Sequence, residues 1–156
     1  MKNLLNEQNL EQTIHTLKKQ NKTIVTTNGC FDILHVGHVR YLEESKKLGD
    51  ILIVCLNSDS SVKKLKGDSR PLNNELDRAE VLLALKSVDY VIIFEEQTPS
   101  RLLDIIKPDI HTKGGDYDAT TLPEYPVIMK NNGKMVFINF VEGKSTTSII
   151  EKMKSN

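Results

Sequence analysis

The sequence predicts a doubly wound α/β domain built on a five-stranded, mainly parallel sheet. Segments with strand character alternate with segments of helical periodicity along most of the 156 residues, which is the pattern of parallel strands joined by right-handed crossovers. The run from Ile51 to Leu56 is apolar throughout, as expected for a strand covered by helices on both faces. A chain of this length suits one domain, so we expect residues 1–156 to fold together.

Five segments carry the strand signal. The first, 23–27, is rich in β-branched residues and ends at the turn-forming pair Asn28-Gly29. The other expected strands are 51–56, 88–94, 109–113 and 135–140.

Apolar residues recur at helical spacing between these strands. An N-terminal amphipathic helix is expected at about residues 6–20. A later helix opens at Pro99 and ends before Pro108. The remaining helices are expected at 36–48, 74–86 and 145–154.

This order of elements predicts a Rossmann-like fold, in which ligands bind beyond the carboxyl ends of the strands, where the strand order reverses. Four polar, glycine-bearing segments follow strands and therefore fall on one edge of the predicted sheet. Their shared edge indicates a single functional site. The segments are 28–38, 57–70, 113–117 and 142–147.

Charge and composition narrow the class of partner. Basic and acidic residues each number 21, so the net charge is zero, which argues against nucleic acid or an anionic membrane as the main partner. Cys30 and Cys55 lack metal-ligand spacing, so we expect reduced thiols in a cytoplasmic protein and no protein-built metal site. The N-terminus is polar, and the apolar runs are far shorter than the ~20 residues of a membrane span, so the chain is expected to be soluble. Its partners are expected to be small molecules.

The segment His35-Val36-Gly37-His38 follows the first strand and enters a helix. A helix start offers free N–H groups and positive potential to a phosphate, and Gly37 permits close approach of a ligand. Two imidazoles three residues apart share a helix face, from which both can donate hydrogen bonds to phosphoryl oxygens that gain charge in a transition state. The alternative is two ordinary histidines beside a helix cap. A zinc site lacks a completing cysteine or carboxylate cluster.

A second helix start follows the last strand, at Glu142-Gly143-Lys144-Ser145-Thr146-Thr147. Its hydroxyl side chains and Gly143 suit a phosphate cradle, although serine and threonine at such a place also act simply as helix caps. Two helix starts aimed at one crevice would suit a triphosphate.

A basic stretch that includes Lys64, Lys66 and Arg70 follows the second strand. Such a stretch alone is usually a solvated face, but beside two anion-binding helix starts it becomes a mobile clamp on phosphates. Arg78 lies among acidic neighbours on a predicted helix, which favours a structural ion pair.

The loop Lys113-Gly114-Gly115-Asp116-Tyr117 follows the fourth strand. It is either an ordinary turn or a loop whose backbone approaches a base and whose Asp116 holds a ribose or a metal. Asp32, close to the first histidine, either orders its own loop or helps to hold magnesium.

Together these motifs resemble those of the cytidylyltransferase-like nucleotidyltransferases. The segment 28–38 looks like the opening motif of that family, and 142–147 looks like its closing motif. The resemblance covers about residues 10–152 and is strongest to the subgroup that adenylates heptose 1-phosphate. That narrower likeness rests on the segments 57–67, 94–99 and 113–117.

The resemblance implies transfer of AMP from ATP to D-glycero-β-D-manno-heptose 1-phosphate, giving ADP-heptose and pyrophosphate for lipopolysaccharide core synthesis. It also implies Mg²⁺ held mainly by phosphate oxygens and water, and a cytoplasmic homodimer. His35, His38 and Lys66 would be the catalytic residues. The nucleotide would be bound by Asn28, Gly29, Phe31, Asp32, Gly37, Lys64, Lys113, Gly114, Gly115, Asp116, Gly143, Ser145, Thr146 and Thr147.

Two departures from the family pattern keep alternatives open. Phe140 stands where cytidylyltransferases carry an arginine, which counts against CTP as donor, and the segment 120–126 matches the family poorly. The same chemistry on glycerol 3-phosphate, pantetheine phosphate or flavin mononucleotide is one alternative. A nucleotide-binding sensor without turnover is another. A tRNA synthetase fragment is a third, against which the short chain and zero net charge weigh.

Overall fold

The structure, a computed structural model, describes residues 1–115, 117–139 and 146–155. Its strands are β1 (Leu4–Leu5), β2 (Ile24–Gly29), β3 (Ile51–Asn57), β4 (Tyr90–Phe94), β5 (Ile110–Gly114) and β6 (Lys134–Ile138). Its helices are α1 (Leu10–Lys19), α2 (Val36–Lys46), α3 (Asp59–Lys66), α4 (Glu75–Leu83), α5 (Ser100–Ile106), α6 (Tyr125–Lys130) and α7 (Thr146–Ser155), with a 3₁₀ turn at Ala119–Thr121.

The six described strands form one sheet in the order β1-β4-β3-β2-β5-β6, with parallel pairing throughout. The prediction of five strands is therefore wrong, because β1 adds a sixth at the edge beside β4. Two residues are too few to show strand alternation in a sequence. From β2 the chain builds outward to β3 and β4, and β5 then pairs on the other side of β2. The strand order thus reverses between β2 and β5.

Helices cover both faces of this sheet, as the doubly wound prediction requires. Helices α1, α5 and α6 pack on one face, and α2 and α4 pack on the other. Successive residues of β3 alternate between the two layers, since Ile53 joins the first cluster while Leu52 and Val54 join the second. Both clusters are apolar and fully buried, which explains why this strand reads as an uninterrupted apolar run. No helix in the described ranges is long and apolar enough to cross a bilayer.

The N-terminal helix begins at Leu10 rather than near residue 6. The side chains of Asn6 and Asn9 bond to each other's backbone N–H groups, which holds the preceding residues in a turn.

Two short helices, α3 and α6, were not predicted from the sequence. Helix α3 buries only Ser61 and Val62, so it carries no apolar periodicity. It begins because the Ser58 hydroxyl accepts a hydrogen bond from the N–H of Ser61, which is a favourable helix cap. Helix α6 has six residues, too few to register a helical repeat.

Candidate active site

A cleft of about 700 Å³ opens at the carboxyl ends of the central strands. It lies where the strand order reverses, which is the position expected for a ligand in a doubly wound sheet. Residues from three of the four predicted segments line it, including Asn28, His38, Lys66, Lys113 and Gly114. The fourth segment, 142–147, lies outside the described residues except for the first two residues of α7.

The two histidines are held at the start of α2 by the backbone. His35 is the N-cap residue, and its Nδ1 accepts a hydrogen bond from the N–H of Gly37 at 3.0 Å. His38 Nδ1 accepts a longer one from the N–H of His35 at 3.4 Å. Because each Nδ1 is an acceptor, each neutral ring carries its proton on Nε2. Of the two rings, His38 lines the cleft, so its Nε2–H group can donate to a ligand there; His35 is not part of the lining and lies stacked on His38.

Packing fixes the His38 ring further. It stacks on the His35 ring with centroids 3.9 Å apart and meets the Phe31 ring edge-on at 5.3 Å. Gly29 makes room for this arrangement, since a Cβ there would lie 2.8 Å from the Phe31 ring. The predicted residues Gly29 and Phe31 thus support His38 by packing.

Burial makes His38 a neutral side chain. Desolvation first, and then the nearby His35 and Lys66, lower the pKa of His38 from 6.5 to about 4. At neutral pH its imidazole therefore carries one proton, on Nε2. It is set up to donate a hydrogen bond without first losing or gaining a proton.

Asp32 is engaged through its carboxylate by another loop, residues 70–73 between α3 and α4. Its carboxylate accepts hydrogen bonds from the N–H groups of Leu72 and Asn73 and from Arg70 Nε at 2.7 Å. Although burial opposes it, these bonds and the Arg70 charge hold the pKa of Asp32 below its usual value. Of the two roles expected for Asp32, this geometry favours ordering the loop over holding magnesium.

Arg78 has a role that its sequence neighbours do not reveal. It is buried on α4, and its ion pair is with Asp59 at 2.8 Å rather than with acidic residues of its own helix. It also donates to the carbonyls of Cys30, Asn57 and Asn73. One side chain thereby ties together three loops at the functional edge of the sheet.

The basic stretch divides between the cleft and solvent. Lys66, the last residue of α3, lines the cleft with Arg70, whose guanidinium is paired with Asp32. Lys64 is exposed and is absent from the cleft lining. The structure thus brings Lys66, but not Lys64, to the site.

A series of hydrogen-bonded polar side chains on β2 and β5 supports the β5 side of the cleft. Asn28 Oδ1 lies 3.3 Å from Lys113 Nζ and 3.2 Å from His111 Nε2. His111 is fully buried on β5, and its Nδ1 bonds to the Thr26 hydroxyl at 2.7 Å. Burial and then the Lys113 charge lower the pKa of His111 to about 3. Sequence reasoning missed His111, because only the β2–β5 register brings it beside Asn28.

The loop after β5 is described in part. Gly114 lines the cleft, and Gly115 adopts φ of +95° with the Tyr117 ring 2.8 Å from where a Cβ would lie. Both constraints require glycine at position 115. The remaining predicted nucleotide-binding residues, Asp116, Gly143 and Ser145, lie outside the described residues, and Thr146 and Thr147 are described only as the start of α7.

The family resemblance implies Mg²⁺ at this site. Across the described ranges, no group of three or more His, Cys, Asp or Glu side chains could hold a metal ion. Since the Asp32 oxygens already accept hydrogen bonds, a magnesium ion here would fit mainly as an ion carried by substrate phosphates.

The fold and this cleft together define a nucleotide-binding enzyme that acts on phosphates. A helix start bearing two imidazole donors and a nearby lysine lies at the switch point of a parallel sheet. The chain belongs to the cytidylyltransferase-like family, whose model matches residues 26–152. It is therefore a nucleotidyltransferase, as the sequence motifs predict.

Individual relatives agree with this assignment. The chain is 58% identical over 140 residues to the bifunctional protein HldE of Nitratiruptor sp. and 52% identical over 147 residues to that of Aliarcobacter butzleri. These matches cover 89% and 94% of this chain but only 29% and 30% of the two relatives. A crystal structure of the lipopolysaccharide core biosynthesis protein of Thermoplasma volcanium is 34% identical, with a TM-score of 0.64. That match covers 79% of this chain and 99% of the other.

Proposed function

We propose that this enzyme transfers AMP from ATP to D-glycero-β-D-manno-heptose 1-phosphate, releasing pyrophosphate and forming ADP-heptose for lipopolysaccharide core synthesis. The observation that carries the proposal is that His38, at the start of α2 with its Nε2–H group as a donor, and Lys66 line the same cleft. The choice of donor base and sugar follows the likeness to the HldE proteins and to the core biosynthesis protein.

The reaction is a single in-line displacement. A phosphate oxygen of the sugar 1-phosphate bonds to the α-phosphorus of ATP, and the bond from that phosphorus to the bridging oxygen of pyrophosphate breaks. A phosphate monoester is already a nucleophile at neutral pH, so no general base is needed. Catalysis then consists of positioning the two phosphates and stabilising the charge that develops between them.

His38 and Lys66 of the cleft lining, with His35 stacked on His38, supply these two effects. His35 and His38 donate from Nε2 to oxygens of the α-phosphate, at the positive end of α2. Lys66, the last residue of α3, supplies positive charge to the same phosphates. Mg²⁺ would be held mainly by phosphate oxygens and water, and it would supply further positive charge for the departing pyrophosphate.

The nucleoside is assigned to the β5 side of the cleft, beside Gly114, Gly115 and the predicted Asp116. Thr146 and Thr147, at the start of α7, are assigned to the β and γ phosphates together with Gly143 and Ser145. A homodimer in the cytoplasm remains a prediction of the family resemblance.

The test is pyrophosphate release by the purified chain with Mg²⁺, each of ATP, CTP, GTP and UTP, and the heptose 1-phosphate. Glycerol 3-phosphate, pantetheine phosphate and flavin mononucleotide serve as competing acceptors. Release that requires both ATP and the heptose phosphate is the expected result. Faster turnover with another base or acceptor would replace that part of the proposal, and ATP binding without turnover on any acceptor would favour a sensor.

A further inference from the structure

Glu124 carries a carboxylate oxygen that the described protein does not satisfy. Its side chain lines the cleft and is only 5% exposed. Oε2 is buried and has no hydrogen-bond partner among the described residues. An unmet buried acceptor is costly and rare in native proteins, so this oxygen is available to a donor on a ligand in the cleft.

The two ordinary structural roles for Glu124 do not account for that oxygen. Glu124 is the N-cap residue of α6, yet its side chain makes no capping hydrogen bond. Its ion pair with Lys113 Nζ uses Oε1, at 3.6 Å, beyond normal hydrogen-bond length. Oε2 is therefore left over after both contacts are counted.

The Glu124 carboxylate nevertheless lies beside a lysine that the core positions. Lys113 Nζ is 3.6 Å from Glu124 Oε1 and 3.3 Å from Asn28 Oδ1, and Asn28 is fixed in turn by the buried His111. These contacts join β2, β5 and the residue that precedes α6. Such support from a rigid sheet is what positions a binding group accurately.

We infer that Glu124 Oε2 accepts a hydrogen bond from a ribose hydroxyl of the nucleotide. The inference rests on the proposed function, which assigns the nucleoside to the β5 side of the cleft, where Glu124 contacts Lys113. A carboxylate accepts hydrogen bonds but cannot donate them. Of the groups on adenosine, the two adjacent ribose hydroxyls are donors well matched to it.

The adenine edge is a poorer match for the same oxygen. Its single exocyclic amine stands beside N1, whose lone pair repels a second carboxylate oxygen. Ribose recognition by an acidic side chain is also a recurring solution in doubly wound nucleotide-binding folds. The sequence motifs predict Asp116 for this role, whereas the buried oxygen of Glu124 assigns it to Glu124.

The experiment measures the Kd for ATP, 2′-deoxy-ATP and 3′-deoxy-ATP with Mg²⁺ and no acceptor, together with kcat/KM for each in the full reaction. Wild-type protein should bind one deoxy analogue about 10–100-fold more weakly than ATP, since a hydrogen bond to a charged group is lost. Glu124→Ala should bind ATP as weakly as that analogue and should no longer discriminate between them. Glu124→Gln, which keeps the shape and one acceptor, should retain an intermediate preference.

Matched variants separate the possible results. Glu11→Ala removes an exposed carboxylate from α1 and should leave every ratio unchanged. If both Glu124 variants keep the wild-type preference for ATP, or if only Asp116→Ala abolishes it, the inference is wrong. ATP binding with a Glu124-dependent preference, but without turnover, would sustain the inference while refuting the proposed function. Failure to bind ATP at all would refute both.

Discussion

Replacing His38 with alanine tests the mechanism most directly. The substitution removes the Nε2–H donor and the ring that stacks on His35 and touches Phe31. It keeps the His35 side chain as the cap of α2, bonded to the N–H of Gly37, but removes the His38 half of the capping box. The backbone bond that is lost, from the N–H of His35, is already long at 3.4 Å.

The size of the effect follows from the role of the donor. A preorganised group that stabilises charge in the transition state is worth about 10²–10³-fold in turnover. Because His38 is neutral, with its pKa lowered to about 4, it donates at any pH near neutrality and its loss should reduce kcat throughout that range. The fold should lose no more than about 1 kcal/mol, the common cost of a single substitution.

The assay is steady-state pyrophosphate release with saturating ATP and acceptor, alongside urea unfolding of the same variants. His38→Gln, which retains an N–H donor, should recover part of the lost rate. His15→Ala, an exposed histidine on α1, is the control and should behave as wild type. A folded His38→Ala protein with kcat within about threefold of wild type would remove His38 from the mechanism.

Three further predictions concern the framework of the site. Arg78→Met should cost about 3 kcal/mol or more in urea unfolding, because three carbonyls and Asp59 lose a buried partner. The exposed Arg101→Met should cost less than about 1 kcal/mol, and equal costs would contradict the assigned role of Arg78. His111 and His38 have pKa values lowered to about 3 and about 4, so the unfolded chain binds more protons and stability should fall as pH drops below about 6.5. Urea midpoints from pH 7.5 to 4 measure this slope. His111→Asn should reduce the slope while the His38 contribution remains, and an unchanged slope would exclude His111 as one of its sources. Gly115→Ala should destabilise more than Gly67→Ala in urea unfolding, since both have positive φ but only position 115 has a ring in the way. Equal losses would show that the Tyr117 contact is immaterial.

Much of the fold could be predicted because its signals are local. The alternation of apolar runs and helical periods lies in neighbouring residues, so the doubly wound sheet and most of its elements follow from the sequence. The failures occur where local signals are short. Strand β1 has two residues, and α3 buries one apolar side chain, Val62.

The site, like the fold, was predictable where its signals are local and not where they depend on distant residues. The His35–His38 motif was recognisable because its residues are neighbours, and their spacing around a helix start predicts a phosphate site. The sequence favoured Lys66 as the catalytic lysine but also placed Lys64 at the nucleotide, and only the direction of α3 shows that Lys66 alone of the two lines the cleft. The two possible roles of Asp32 likewise depended on partners about 40 residues away.

The sequence by itself determined the class of fold and the family, and it predicted the groups that we propose bind the phosphates, because each is encoded in short-range patterns. Only the tertiary structure decided which polar groups form hydrogen bonds with one another. Asn28 meets His111, and Arg78 meets the Cys30 carbonyl, through contacts 83 and 48 residues apart. Such contacts are set by strand register and helix docking, which arise from packing the whole core. For the same reason, the unsatisfied oxygen of Glu124 becomes apparent only when every nearby donor has been placed.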